Sequence, residues 1–246
     1  MLIDNFESFL DTLSTENKHE ATFLKNADRH AEIIRILDKV DDIFDVQLLD
    51  YGAGDGILSR YLRTQGLSCF NYEPYATEDQ KEYHQKHDMQ FFYTKAELIN
   101  NTPFGIVIFS EVIEHVAVLQ PVMELIERVS TAKAKLILST PNVMRLNMWV
   151  SFLFRRRGHP VLPVDWAVKQ NDYQKHVREF TGIEVRELLH FFELTDVQIL
   201  FKEIDYGKRN IKEKQYLSPS IFRMVMLAIF PSFRNNIFCI ASRGKK

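Results

Sequence analysis

The stretch Leu48-Leu49-Asp50-Tyr51-Gly52-Ala53-Gly54-Asp55-Gly56 decides the fold. It reads as a short apolar strand, begun at Val46, that runs into a glycine-rich turn. Ile57–Gln65 follows as a helix, and Gly66 suits its C-terminal stop. Elsewhere the chain is sparing with glycine. Ordinary usage would give about 17 glycines at this length, and the 246 residues hold 9, three of them in this one turn. Glycine is needed where the backbone takes a positive φ or where a ligand must approach it closely. In an open α/β sheet that place is the crevice at the carboxyl ends of the strands.

The rhythm continues outward from the turn. Leu67–Tyr72 reads as a second strand closed by Glu73-Pro74, Met89–Tyr93 as a third, and Thr94–Asn100 as a short helix. Phe104–Ser110 is an apolar strand, Glu111–Val129 a helix broken at Pro121, and Lys135–Ser139 a fifth strand. Strands that are apolar on both faces and alternate with helices imply a parallel sheet covered by helices. Thr181 caps a helix to about Glu193, and Thr195–Phe201 and Asn236–Ser242 are the last strands. Residues 1–44 are helical in pattern and precede a domain spanning 45–246, which is interrupted by long connections at about 142–174 and 205–234.

Charge and composition narrow the classes. Lys and Arg total 31 and Asp and Glu 33, a net charge of -2, which disfavours a nucleic-acid partner. The two cysteines, Cys69 and Cys239, each sit in an apolar run, so neither a disulfide framework nor a cysteine zinc site is expected. The N-terminus carries Asp4, Glu7 and Asp11 without an early basic residue, unlike a leader peptide, and no apolar run is long enough to span a bilayer. The expectation is a cytoplasmic protein that rests, at most, on the inner face of a membrane.

The spacing of the turn is informative. A dinucleotide fingerprint is G-x-G-x-x-G; here the third glycine comes one residue early and Ile57 takes the dinucleotide position. Glu73, closing the second strand, can accept both ribose hydroxyl protons of an adenosine ligand. LLDYGAGDG followed by FNYEP resembles the first two motifs of class I S-adenosylmethionine-dependent methyltransferases. The resemblance continues through FSEVIEHV (109–116) and LILSTPN (136–142). It implies an α/β, Rossmann-like sheet of seven strands, mostly parallel with an antiparallel last strand. Helices lie on both faces, with the N-terminal helical segment and the two insertions added. It also implies that Asp50, Gly52, Ala53, Gly54 and Gly56 border the methionine part of the cofactor S-adenosylmethionine and that Glu73 holds the ribose. Ser110 and Glu111 complete the cofactor-binding set. Two positions depart from the family: Tyr93-Thr94-Lys95 replaces the acidic residue that often contacts adenine, and Gly105 replaces an Asp early in strand four.

A second constellation lies after strand four. Glu111, Glu114 and His115, placed on a helix, would share one face, and His176 follows downstream in HVREFT. The four can hold a divalent cation such as Mg or Mn. Without a metal, His115 or His176 can deprotonate the acceptor, or the group can bind substrate. A purely structural role, capping and bracing the helix, is the plain alternative. The pairing resembles ubiquinone-pathway O-methyltransferases and small-RNA 2′-O-methyltransferases. The wording HVREFT resembles methyltransferases of bacterial polysaccharide and glycolipid pathways.

The leading expectation is therefore O-methylation of a saccharide, glycolipid or sugar nucleotide. The alternatives are a quinone-pathway phenol or an RNA ribose as acceptor, or a non-catalytic cofactor-binding regulator. Trp149, Phe152, Phe154 and the Arg155–Arg157 run suggest a lid that meets phosphate, and Ile221–Phe230 an interfacial helix. Packing on the sheet with solvated arginines is the plainer reading of both.

Overall fold

The computed structural model describes residues 1–149, 176–204 and 221–244. Phe152, Leu153, Phe154 and Arg155–Arg157 of the first insertion, and residues 205–220 of the second, lie outside the described residues. Seven strands form one sheet: β1 (Leu48–Tyr51), β2 (Cys69–Tyr72), β3 (Phe91–Phe92), β4 (Phe104–Ser110), β5 (Ser130–Pro141), β6 (Leu194–Lys202) and β7 (Asn236–Arg243). Their order is β3-β2-β1-β4-β5-β7-β6. The first five run parallel, and β7 lies antiparallel between β5 and β6. The expected terminal hairpin is formed by the two segments named for it. The order reverses between β1 and β4, so the crevice falls at the end of β1, where the glycine turn lies.

The helices are α1 (Phe6–Leu10), α2 (Lys18–Lys25), α3 (Ala27–Leu37), α4 (Ile57–Thr64), α5 (Glu78–Lys86), α6 (Lys95–Asn100), α7 (Gln120–Val129), α8 (Gly182–Phe191) and α9 (Ile221–Ile229). Two apolar cores flank the sheet. One joins α3 and α4 to Leu48, Ile106, Ile108 and Phe238, and the other joins α7 and α8 to Leu49, Val107, Phe109 and Ile237. Alternate residues of β1 and β4 thus face opposite cores, the reason these strands are apolar throughout.

The N-terminal helices differ in how they are held. α3 buries Ile33, Ile34, Ile36 and Leu37, each contributing about 1.5–3 kcal/mol. α2 buries Phe23 alone of its large apolar residues, together with the polar side chains of His19 and Glu20. α3 is therefore part of the core, whereas α2 is held largely by polar contacts.

One expected helix is corrected. Residues 111–119 do not extend α7. Glu111 adopts φ 55, Ile113–His115 form a single 3-10 turn, and α7 starts only at Gln120, with Pro121 in its first turn. A left-handed residue cannot sit inside a right-handed helix. Glu111, Glu114 and His115 therefore do not share a helix face. α5 went unread in the sequence because Glu78–Lys86 carries one large apolar residue, Tyr83, and so no periodicity. Its ends are nonetheless specified: Thr77 and Gln80 form a capping box.

Candidate active site

The turn after β1 uses its glycines for geometry. Gly52, Gly54 and Gly56 all have positive φ, at 77°, 53° and 69°. Space is also lacking: a Cβ on Gly52 would lie 2.5 Å from Val112, and one on Gly56 would lie 2.6 Å from the Phe91 ring. The Gly54 peptide is held on both sides. Its N–H donates to Glu73 Oε2 at 3.0 Å, and its carbonyl lies 3.0 Å from His84 Nε2. Tyr93 Oη lies 3.1 Å from the other nitrogen of that ring, so a neutral His84 accepts from the phenol and donates to Gly54. Burial lowers the His84 pKa, which favours this neutral form.

A cavity of about 210 Å³ opens against this turn. Asp50, Gly52, Ala53, Gly54, Gly56, Ser110 and Glu111 line it, so the structure brings seven of the eight expected cofactor residues to one space. The eighth, Glu73, does not line this cavity and contacts the turn through the Gly54 amide. The opposite wall consists of Thr22, Phe23, Asn26, Arg29 and His30, from α2, α3 and their junction. These residues carry no motif. They reach the cavity only because α3 packs on the sheet, and sequence reading missed them.

The cavity is electrostatically prepared for a polar ligand. Burial first, then the Glu73 charge, pushes the Asp50 carboxyl up to about 7. Burial likewise raises Glu73, against the lowering effect of the Gly54 and Tyr75 amides. Arg29 Nη1 lies 3.2 Å from Glu111 Oε2. Arg29 Nε and His30 Nδ1 are buried and have no hydrogen-bond partner among the described residues. Unsatisfied buried nitrogens cost free energy unless a ligand meets them.

Beyond Glu111 lies the second group. Glu114, His115 and His176 each place one ligand atom within 4.8 Å of the others. The chain brings His176 there by docking its neighbours, since the Val177 and Arg178 amides both donate to the Glu114 carbonyl, at 2.7 and 3.2 Å. Glu114 is fully buried. Burial, then the Glu111 charge, holds its carboxyl well above the usual range. Thr140 Oγ1 donates to its Oε2 at 3.1 Å, while its Oε1 has no partner among the described residues. His176 Nδ1 lies 3.2 Å from Glu179 Oε1, and Glu179 is itself paired with Arg145. Glu111 does not join this group. Its carboxylate is engaged by Arg29 and by Ser139 Oγ at 3.0 Å, and Ser139 in turn lies 2.8 Å from Ser110 Oγ. The expected set of four thus divides into three clustered residues and one residue facing the cavity.

A larger cavity of about 300 Å³ lies at the opposite end of the sheet, among Met123, Ile126, Phe191 and Arg243. The Arg243 guanidinium there is already bound to Glu127 and to carbonyl oxygens, so this space is not where the candidate catalytic groups converge.

A seven-stranded sheet of this order, with a ligand-sized cavity on a glycine turn at its switch point, is the architecture of class I S-adenosylmethionine-dependent methyltransferases. Residues 7–205 match the family described as a methyltransferase domain, and the chain belongs to that family and is an enzyme of this kind. Among curated relatives, the ubiquinone biosynthesis O-methyltransferase of Rickettsia prowazekii is 29% identical over 186 residues, covering 71% of this chain and 68% of that protein. The protein of the same name from Rickettsia typhi is 30% identical over 186 residues, covering 71% and 70%. Among solved structures, a methyltransferase of Thermotoga maritima superposes with a TM-score of 0.57 at 15% identity, covering 99% of this chain and 100% of that one, a likeness of fold alone. Among the described residues, no helix is long and apolar enough to cross a membrane.

Proposed function

We propose that the chain is an O-methyltransferase whose acceptor is a phenolic hydroxyl of a small quinone-like ring. The observation that carries this reading is the Glu114–His115–His176 group, three residues along the chain from the cavity-lining Glu111. The two relatives named for ubiquinone biosynthesis support the same acceptor class. The relatives favour this phenol over the saccharide acceptor that led the expectations from sequence. A phenol ionises near pH 10 and gives up its proton more readily than a sugar hydroxyl does. A net charge of -2 remains unfavourable for an RNA acceptor.

The donor, when bound, supplies a methyl group made electrophilic by its sulfonium. In this reading Arg29 faces the donor carboxylate, Glu73 accepts the ribose hydroxyl protons, and the glycine turn lets the backbone approach. Asp50, Ser110 and Glu111 border the donor. Positioning of this kind supplies up to about 7–11 kcal/mol. Glu114, His115 and His176 suit a divalent cation, Mg²⁺ or Mn²⁺: the orphaned Glu114 Oε1 gains a partner, and a His176 that donates Nδ1–H to Glu179 keeps Nε2 as a ligand atom. Such a cation would acidify a hydroxyl held against it. If no cation is needed, His176, oriented by Glu179, is the group that takes the acceptor proton. Incubation with labelled S-adenosylmethionine and separate phenol, glycolipid and RNA pools tests the acceptor assignment; label entering only glycolipid or RNA would exclude the phenol.

The apolar face of α9 suits a lipid surface that holds such an acceptor. Met224, Val225, Ile229 and Phe230 are exposed, and Phe230 packs with Phe233, which meets Trp149. Flotation with anionic vesicles tests this contact, and a protein left in the bottom fraction would argue against it.

A further inference from the structure

We propose that α2 is a hinged wall of the donor cavity and that His19 is the latch that holds it closed. The proposal rests on the donor reading of the cavity above. α2 and α3 are separated at Asn26, which ends one helix and begins the next outside helical geometry, at φ -106 and ψ 12. α3 is anchored by its buried isoleucines and leucine and by the ion pairs Arg29–Glu111 and Glu32–Lys202. α2 has a single buried apolar anchor, Phe23, which packs on Phe6 and Phe9, and its Thr22 and Phe23 line the cavity. Elements with few buried apolar contacts are the ones that open locally.

His19 supplies a further hold. Its Nδ1 lies 2.8 Å from Asp55 Oδ1, and Asp55 belongs to the glycine turn itself. Its Nε2 lies 2.8 Å from Asp79 Oδ2 on α5. An ionised carboxylate only accepts, so both contacts are hydrogen bonds when both ring nitrogens carry protons. Charge-assisted bonds of this kind are among the stronger polar contacts. The ring also packs on Tyr83, centroids 4.6 Å apart. Next to it, Glu20 accepts from Tyr83 Oη at 3.0 Å and Arg60 Nη1 at 3.2 Å, a second tie from the same helix to the body. His19 touches no part of the donor's expected position. It is a positioning residue that acts through Asp55 and the placement of α2, and a wall of this kind governs passage rather than chemistry.

The test is stopped-flow binding of S-adenosylhomocysteine to the wild type, His19→Gln and Asp79→Asn, with hydrogen exchange of the α2 amides in the donor-free proteins. A latch governs entry and exit alike, so His19→Gln is expected to raise both the association and dissociation rates at least fivefold and to speed exchange over residues 18–25. Asp79→Asn weakens the outer arm and also the Lys18–Asp79 pair from the same helix; it shifts the same quantities in the same direction by less, and with Lys18→Ala as its control it carries the test if His19→Gln fails to fold. Unchanged rates in the variants would overturn the latch, as would faster exit without faster entry, which is simple loss of a site. A wild type that binds no S-adenosylhomocysteine would sink the donor reading instead, while the exchange measurement would still decide whether His19 holds α2.

Discussion

The imidazoles of His115 and His176 meet edge to face, with ring centres 5.0 Å apart and planes at 78°. His115 follows β4 and His176 follows the long connection after β5, and the Glu114 carbonyl joins their backbones by accepting two amides from the His176 segment. Two imidazoles that close, beside a buried carboxyl whose Oε1 is unpartnered among the described residues, have the spacing of a group that could hold a metal ion.

That arrangement predicts metal dependence. Chelation with EDTA should abolish methyl transfer and leave S-adenosylhomocysteine binding intact, with Mg²⁺ or Mn²⁺ restoring turnover. Glu114→Gln should lower turnover about 10²–10⁴-fold, the range ordinarily lost with an activating group. Full activity after rigorous chelation would assign proton removal to His176 instead.

Glu73 is expected to control donor affinity. Glu73→Ala removes the ribose acceptor and also frees the Gly54 amide that it now holds. Calorimetry should show S-adenosylhomocysteine binding weakened at least tenfold, about 1.4 kcal/mol. Unchanged affinity would refute the ribose role.

Asp50 makes stability depend on pH. Its carboxyl is raised to about 7 by burial and the Glu73 charge, while the unfolded chain ionises near its ordinary value of about 3.9. Between these values the folded state keeps a proton that the unfolded state has lost. Its contribution to stability therefore declines as pH rises from about 4 to about 7 and is level above that. Thermal melts of Asp50→Asn should show a flatter dependence across this window. A slope equal to that of the wild type would contradict the shift.

The glycine turn was legible because its determinants are local. Three glycines, the apolar strand before them and Glu73 after the next strand can all be read without tertiary structure. The Glu114–His115–His176 group was legible only through resemblance, since no periodicity links position 115 to 176. The helical reading of 111–119 failed at Glu111, whose left-handed φ leaves no trace in apolar spacing. Arg29, His30, His19 and His84 were invisible for another reason. Each serves the cavity from another part of the chain, Arg29 and His30 as its wall and His19 and His84 by gripping the turn, and nothing in the residues around them announces it.

The acceptor assignment is the central claim, and transfer of a labelled methyl group from S-adenosylmethionine to a catechol, with the product analysed by mass spectrometry and NMR, tests it most directly. The account predicts one methyl group on one ring oxygen, lost in His176→Gln. Label carried on a ring carbon, or no label on the catechol while a glycolipid pool is methylated, would contradict it.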